Sequence, residues 1–203
     1  MQQELSFNGL PMSGIMLRNN FQYLAAPNAK IERLVDAGML IRLRRNLYID
    51  TQAPIYNNFL AANYILSPSY VSGLSALWYY DIIPETVFEN ISMTTRKRAT
   101  YNNALGRFSY YTCTPDYFYI GITPTRILGN TVMIAGKEKA LCDHIILTPN
   151  INFRYVKETR TWLEEEMRMD MDELSTMDLS IIKECARVGR KQRMLSNIIK
   201  IFS

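Results

Sequence analysis

The chain of 203 residues has one histidine, two tryptophans and three cysteines. Each scarcity excludes something. Cys113, Cys142 and Cys185 are odd in number and far apart, which argues against a disulfide framework and a zinc finger and fits a reducing cytoplasm. His144 is flanked by Cys142 and Asp143 on an apolar helical stretch. Neighbours on a helix diverge, so these three do not converge on one metal or substrate atom, and a structural histidine is the simpler reading. Glycine-rich phosphate loops of the dinucleotide or Walker type are missing. No apolar run approaches the ~18–20 residues of a membrane span, and the N-terminus lacks the basic-then-apolar pattern of a signal peptide. Nothing asks for a cofactor.

A nuclease centre fares no better. Asp116 needs an acid-x-Lys downstream to hold a metal and position a water, yet Glu138 stands directly beside Lys139. Glu164, Glu165 and Glu166 are consecutive on a helix and read as a solvated face. Tyr79, Tyr80, Tyr110, Tyr111, Tyr117 and Tyr119 offer rings for base stacking, but packing explains most of them. A non-enzymatic protein is expected.

What is present is an ordinary globular mixture, 48% hydrophobic and 21% charged, with net charge +4. The charge is unevenly placed. Segments 1–50, 91–110 and 183–203 carry +2, +4 and +5, while 51–90 and 151–182 carry −3 and −4. Basic islands of this kind either form a phosphate-binding surface or pair with the acidic stretches.

The most legible stretch is Asn28–Asp50, NAKIERLVDAGMLIRLRRNLYID. Ile31, Leu34 and Val35 share one helical face while Lys30, Glu32, Arg33 and Asp36 face elsewhere. Gly38 ends the helix. Ile41 and Leu43 then alternate with Arg42 and Arg44, and Arg45-Asn46 turns the chain into Leu47, Tyr48 and Ile49. A helix running into a basic hairpin is the back half of a winged helix, whose helix enters a DNA groove and whose wing follows the phosphates. The plainer alternative is a small αβ corner with solvated arginines.

Elsewhere the pattern predicts one helix over about Ser13–Leu24, helices between 54 and 80 starting near Thr51 and Pro54, and a second of these over Val71–Tyr80. Leu5 and Phe7 add apolar weight to a poorly phased front. Strands are expected between about 87 and 135, at Val87–Thr95, Arg107–Thr112, Phe118–Ile122 and Thr131–Ala135. Their connections are the basic stretch Arg96–Asn103, a Pro124 loop and a Gly129-Asn130 turn. Helices should follow over 137–203, beginning with Lys137–Leu147, with an acidic connector at Asp170–Glu173 and a stop at Gly189. The expected class is α+β, with a winged-helix-like module over 1–52 and a mixed α+β domain with a helical C-terminal tail over 53–203.

Five segments in order resemble the AbiEi family, the antitoxin and regulator half of bacterial abortive-infection (type IV) toxin–antitoxin pairs. They are LVDAGMLIRLRRNLYI at Leu34–Ile49, PSYVSGLSALWYYDIIPE at Pro68–Glu85, ISMTTRKR at Ile91–Arg98, LGRFSYYTCTPDYFYIGI at Leu105–Ile122 and TVMIAGKEKALCDHIIL at Thr131–Leu147. The resemblance implies an operator-binding winged helix, an antitoxin domain, regulation of its own operon, and a nucleotidyltransferase-like toxin counteracted without a stable complex. It places Lys30 and Arg33 on the recognition helix and Arg42, Arg44 and Arg45 on the wing. Arg96, Lys97 and Arg98 become a basic loop for nucleic acid, a partner or structure. Glu32 and Asp36 depart from what a phosphate-facing helix wants. The competing reading is a protein-interaction module in phage defence that binds no operator itself.

Overall fold

The computed structural model describes residues 9–51 and 57–203. Ser13, in extended backbone, accepts the Met16 N–H on its hydroxyl and so starts α1 (Gly14–Asn20) directly after β1 (Met12–Ser13). Pro27 opens α2 (Pro27–Asp36), at a position where its missing N–H is not needed. Gly38, at φ +69°, then reverses the chain into β2 (Leu40–Arg44). A tight turn through Asn46 leads to β3 (Leu47–Asp50). The three strands run antiparallel in the order β1-β3-β2.

One face of this unit closes over Leu17, Phe21, Ile31, Leu34 and Tyr48. The other side of the hairpin, Leu43, Leu47 and Ile49, is part of the larger core that follows. The boundary expected at 52/53 lies outside the described residues, as do Leu5, Phe7 and the helix start at Pro54.

The second unit begins with α3 (Asn58–Ile65), capped by the Asn57 side chain. Its sheet holds β4 (Ser69–Val71), β5 (Glu89–Thr94), β6 (Ala99–Asn103), β7 (Gly106–Thr112), β8 (Ile122–Ile127) and β9 (Asn130–Ala135), in the order β6-β7-β5-β4-β9-β8. Parallel pairs β5/β7 and β4/β9 make the sheet mixed. Helices α4 (Gly73–Tyr79), α5 (Pro115–Phe118) and α6 (Lys137–Leu147) interrupt and follow it. A helical end completes the chain: α7 (Val156–Thr161) with a π-helical turn at Trp162–Glu166, α8 (Met171–Ser175), α9 (Leu179–Val188) and α10 (Gln192–Ile201). The class is α+β. Among the described residues no helix is long and apolar enough to cross a membrane.

Several local expectations are corrected. Val71 does not start the second helix, which begins at Gly73; Ser69–Val71 is a strand, and its three residues are all buried, so no alternation marks it. Phe118–Ile122 is not a strand. Pro115 starts a helical turn there, and Gly121 at φ +59° turns the chain into β8. Pro124 stands inside β8, not in a loop, because β8 is an edge strand that can spare an N–H. The connection after Arg98 is itself a strand, β6, whose ATYNN lacks apolar alternation because it too is an edge. Asp170–Glu173 is not a connector, since the Asp170 carboxylate accepts the Asp172 and Glu173 N–H groups and starts α8.

Helix α6 is the keystone, buried on all sides from Glu138 to Ile145. Lys139 and Asp143, one turn apart, are both fully buried with Nζ 3.5 Å from the carboxylate. Asp143 also accepts Ser72 Oγ at 2.6 Å and Tyr117 Oη at 2.7 Å. Lys139 donates to the Tyr117 carbonyl at 2.9 Å and lies over that ring, 3.0 Å from its centroid. Burial, then the Asp143 charge, pushes the Tyr117 phenol far above its ordinary range, so it remains a donor. On another face His144 stacks on Trp162, centroids 5.7 Å apart. Burial, and then Lys191, lowers its pKa to about 4.

Removing one member of a buried ion pair strands the other. Asp143→Asn is expected to cost about 3–5 kcal/mol, read by urea denaturation, and Lys139→Met with Asp143→Leu should regain much of it. An Asp143→Asn loss under about 1 kcal/mol contradicts the pairing. His144 adds a pH dependence. Its folded pKa lies below the unfolded value near 6.5, so the unfolded chain binds the extra proton and stability falls as pH drops from about 6.5 toward 4. The full effect is about 3 kcal/mol. His144→Phe should flatten the wild-type slope between those pH values, and an identical slope in both proteins argues against it.

Candidate nucleic-acid interface

The residues proposed for DNA contact lie on α2 and on the β2–β3 hairpin, and the fold brings the two together. Ile31 and Leu34 are buried under α2, which turns Asn28, Glu32 and Arg33 to the surface and leaves Lys30 half-buried at the side. A bulge between Arg42 and Arg44 breaks the β2–β3 register before the turn. Between helix and hairpin lies a polar hollow of about 450 Å³, lined by Arg18, Asn28, Glu32, Arg42, Arg45 and Tyr48 among others.

The three arginines of the hairpin are not equivalent, and only Arg42 and Arg45 line the hollow. Arg42 binds both Glu32 carboxylate oxygens at 2.5 Å and lies 5.7 Å from the Tyr48 ring centroid. The Glu32 hydrogen bond raises its already high pKa, so its charge is permanent. Arg44 does not offer its full fork to solvent. Its Nε donates to the Ile65 carbonyl at 2.7 Å at the end of α3, and Nη1 donates to the Arg45 carbonyl at 3.2 Å. Arg44 therefore moors the hairpin to the second unit, assisted by Asn103, whose Nδ2 donates to the Leu43 carbonyl at 3.0 Å. Arg45 stands exposed at the turn, with no carboxylate partner among the described residues. The same holds for Lys30 and Arg33.

Neither family models nor curated proteins match the chain. The AbiEi resemblance rests on the segments quoted above.

Arg18 joins the site without having been predicted. It lies in the last turn of α1, and its one sequence signal was a cation on a helix whose phase was unreadable. Arg96, Lys97 and Arg98 are exposed at the β5–β6 turn, which Thr94 and Thr112 hold by hydrogen bonds to the Arg96 N–H and carbonyl. They do not join the hollow. Asn103 touches the hairpin from one end of β6, and the basic turn precedes the other end, roughly 13 Å away along the strand.

The helical chemistry candidates separate as well. Asp116 is exposed, and Glu138 is buried accepting the Asp178 N–H at 3.0 Å. Cys142, Asp143 and His144 face different neighbours, with Asp143 on Ser72 and Tyr117 and His144 on Trp162.

The Glu32–Arg42 pair is exposed on both sides, with 54% and 42% of the side chains accessible, so breaking it costs little stability. Glu32→Gln deletes an acid and frees Arg42 for phosphate. Duplex affinity should rise severalfold in filter binding, with a salt slope steeper by about one ion. Unchanged affinity and slope place Arg42 off the phosphate path.

Proposed function

We propose that the chain is a non-enzymatic, DNA-binding antitoxin and autoregulator of a toxin–antitoxin operon, acting in the cytoplasm. The observation that carries the DNA half is the first unit. Two helices precede a basic hairpin, the strands are ordered β1-β3-β2, and Arg18, Arg42 and Arg45 surround a hollow beside the exposed face of α2. That arrangement supports a winged-helix reading in which α2 enters the major groove and the hairpin tip lies along a phosphate strand. Arg45 and Arg18 make backbone contacts, Lys30 and Arg33 approach base edges, and Arg44 positions the wing.

The antitoxin half follows from the resemblance to the AbiEi family, with a nucleotidyltransferase-like toxin as the functional target. A protein-contact role for the second unit has its own support. Phe88, 87% exposed, and Trp78, 43% exposed, line one hollow and give the second unit an apolar surface patch.

Purified protein is expected to shift duplex DNA from upstream of its own gene, with affinity falling steeply as salt rises. Arg18→Ala with Arg45→Ala should weaken binding uniformly across sequences and lower the salt slope by about two ions, whereas Arg33→Ala should relax sequence preference. Absence of a shift at low salt, or a shift indifferent to these changes, rejects the DNA reading.

A further inference from the structure

A second cationic site lies on the far side of β6 from the hairpin. A cleft of about 450 Å³ opens between the basic β5–β6 turn, the end of β7 and the α9–α10 junction. Arg98 stands on one rim, its guanidinium carbon 4.8 Å from the Tyr111 ring centroid. Arg190 stands on the other. Its position follows from Gly189, which ends α9 so close to Tyr117 that an added Cβ would meet the ring at 2.8 Å. Thr112 and Thr114 supply exposed hydroxyl-bearing side chains, and Ile146 and Val188 supply apolar wall.

Neither Arg98 nor Arg190 has a carboxylate partner among the described residues, although other surface cations such as Arg107, Arg160 and Arg168 do. Two unneutralised guanidinium groups facing one cleft ask for a ligand with at least two negative charges, and their forked donors match phosphate oxygens. A guanidinium lying on a tyrosine ring offers its outer face to a planar base. The volume suits a small ligand carrying both. From these features we infer that the cleft binds a nucleotide, with the phosphates between Arg98 and Arg190 and the base stacked against the Arg98–Tyr111 pair.

The nucleotide comes either free or as part of a single strand, and the two sources are separable. Titration of the full chain with ATP, inorganic phosphate and single-stranded octathymidylate, followed by calorimetry, distinguishes them. ATP or the oligonucleotide should bind well below about 1 mM, and Arg98→Gln and Arg190→Gln should each weaken that binding roughly tenfold or more. Both residues are exposed, so the variants should keep the wild-type circular dichroism. Arg45→Ala should leave ATP binding unchanged, which keeps that arm of the test independent of phosphate contacts made by the hairpin. ATP binding without oligonucleotide binding identifies a free nucleotide. Tighter oligonucleotide binding that ATP displaces identifies a strand. The inference is overturned if neither binds at about 1 mM, if inorganic phosphate binds as tightly as ATP, or if both arginine variants bind normally.

Discussion

The buried pairing of Lys139 with Asp143 is the constraint on which the second unit is built. A charged pair with no exposed surface is tolerated only when the surrounding groups satisfy the remaining donors and acceptors. Here Ser72 comes from the β4–α4 junction, and Tyr117 comes from α5 with both its hydroxyl and its carbonyl. The pair therefore dictates how a strand end, a one-turn helix and α6 meet. Tail helices are then fastened around α6. Lys191 donates to the Ile145 carbonyl at 2.8 Å and to the Thr148 carbonyl at the end of that helix, and Glu138 receives the Asp178 N–H. Gly189 against Tyr117 makes the cleft wall an extension of the same cluster.

The hairpin shows how folding and binding compete for one kind of side chain. Of its three arginines, Arg44 is held by the carbonyl ending α3 and Arg42 by Glu32, which leaves Arg45, among the described residues, as the one whose guanidinium has neither kind of partner. The mooring has a use. A hairpin whose inner face shares Leu43, Leu47 and Ile49 with the main core is held in place, which would lower the entropic cost of the DNA contact proposed for its tip. Arg18, supplied from α1, restores part of the positive charge that Glu32 removes.

Legibility in the sequence followed periodicity. The stretch from α2 through β3 was readable because apolar residues at helical spacing, a glycine stop and a clean alternation all agreed. Lys137–Leu147 was likewise found at its observed bounds. What its composition hid was depth, since Glu138, Lys139, Asp143 and His144 look like a solvated face and are all buried. Short elements lost their signal for opposite reasons: β4 is covered on both faces, while β6 and β8 are edges free to carry asparagine or proline. The site was half legible. Its cations could be named, but which were occupied depended on Ile65, 21 residues beyond Arg44, and on Glu32 lying across from the hairpin.

The central claim is that α2 and the hairpin tip together form the face that meets DNA. Hydrogen–deuterium exchange with and without duplex from upstream of the gene tests it without any substitution. Slowed exchange should be confined to peptides spanning 14–20, 27–36 and 42–48, with 85–91 around Phe88 unaffected. Protection that appears only beyond residue 57, with none in α2 or the hairpin while DNA is bound, would contradict it.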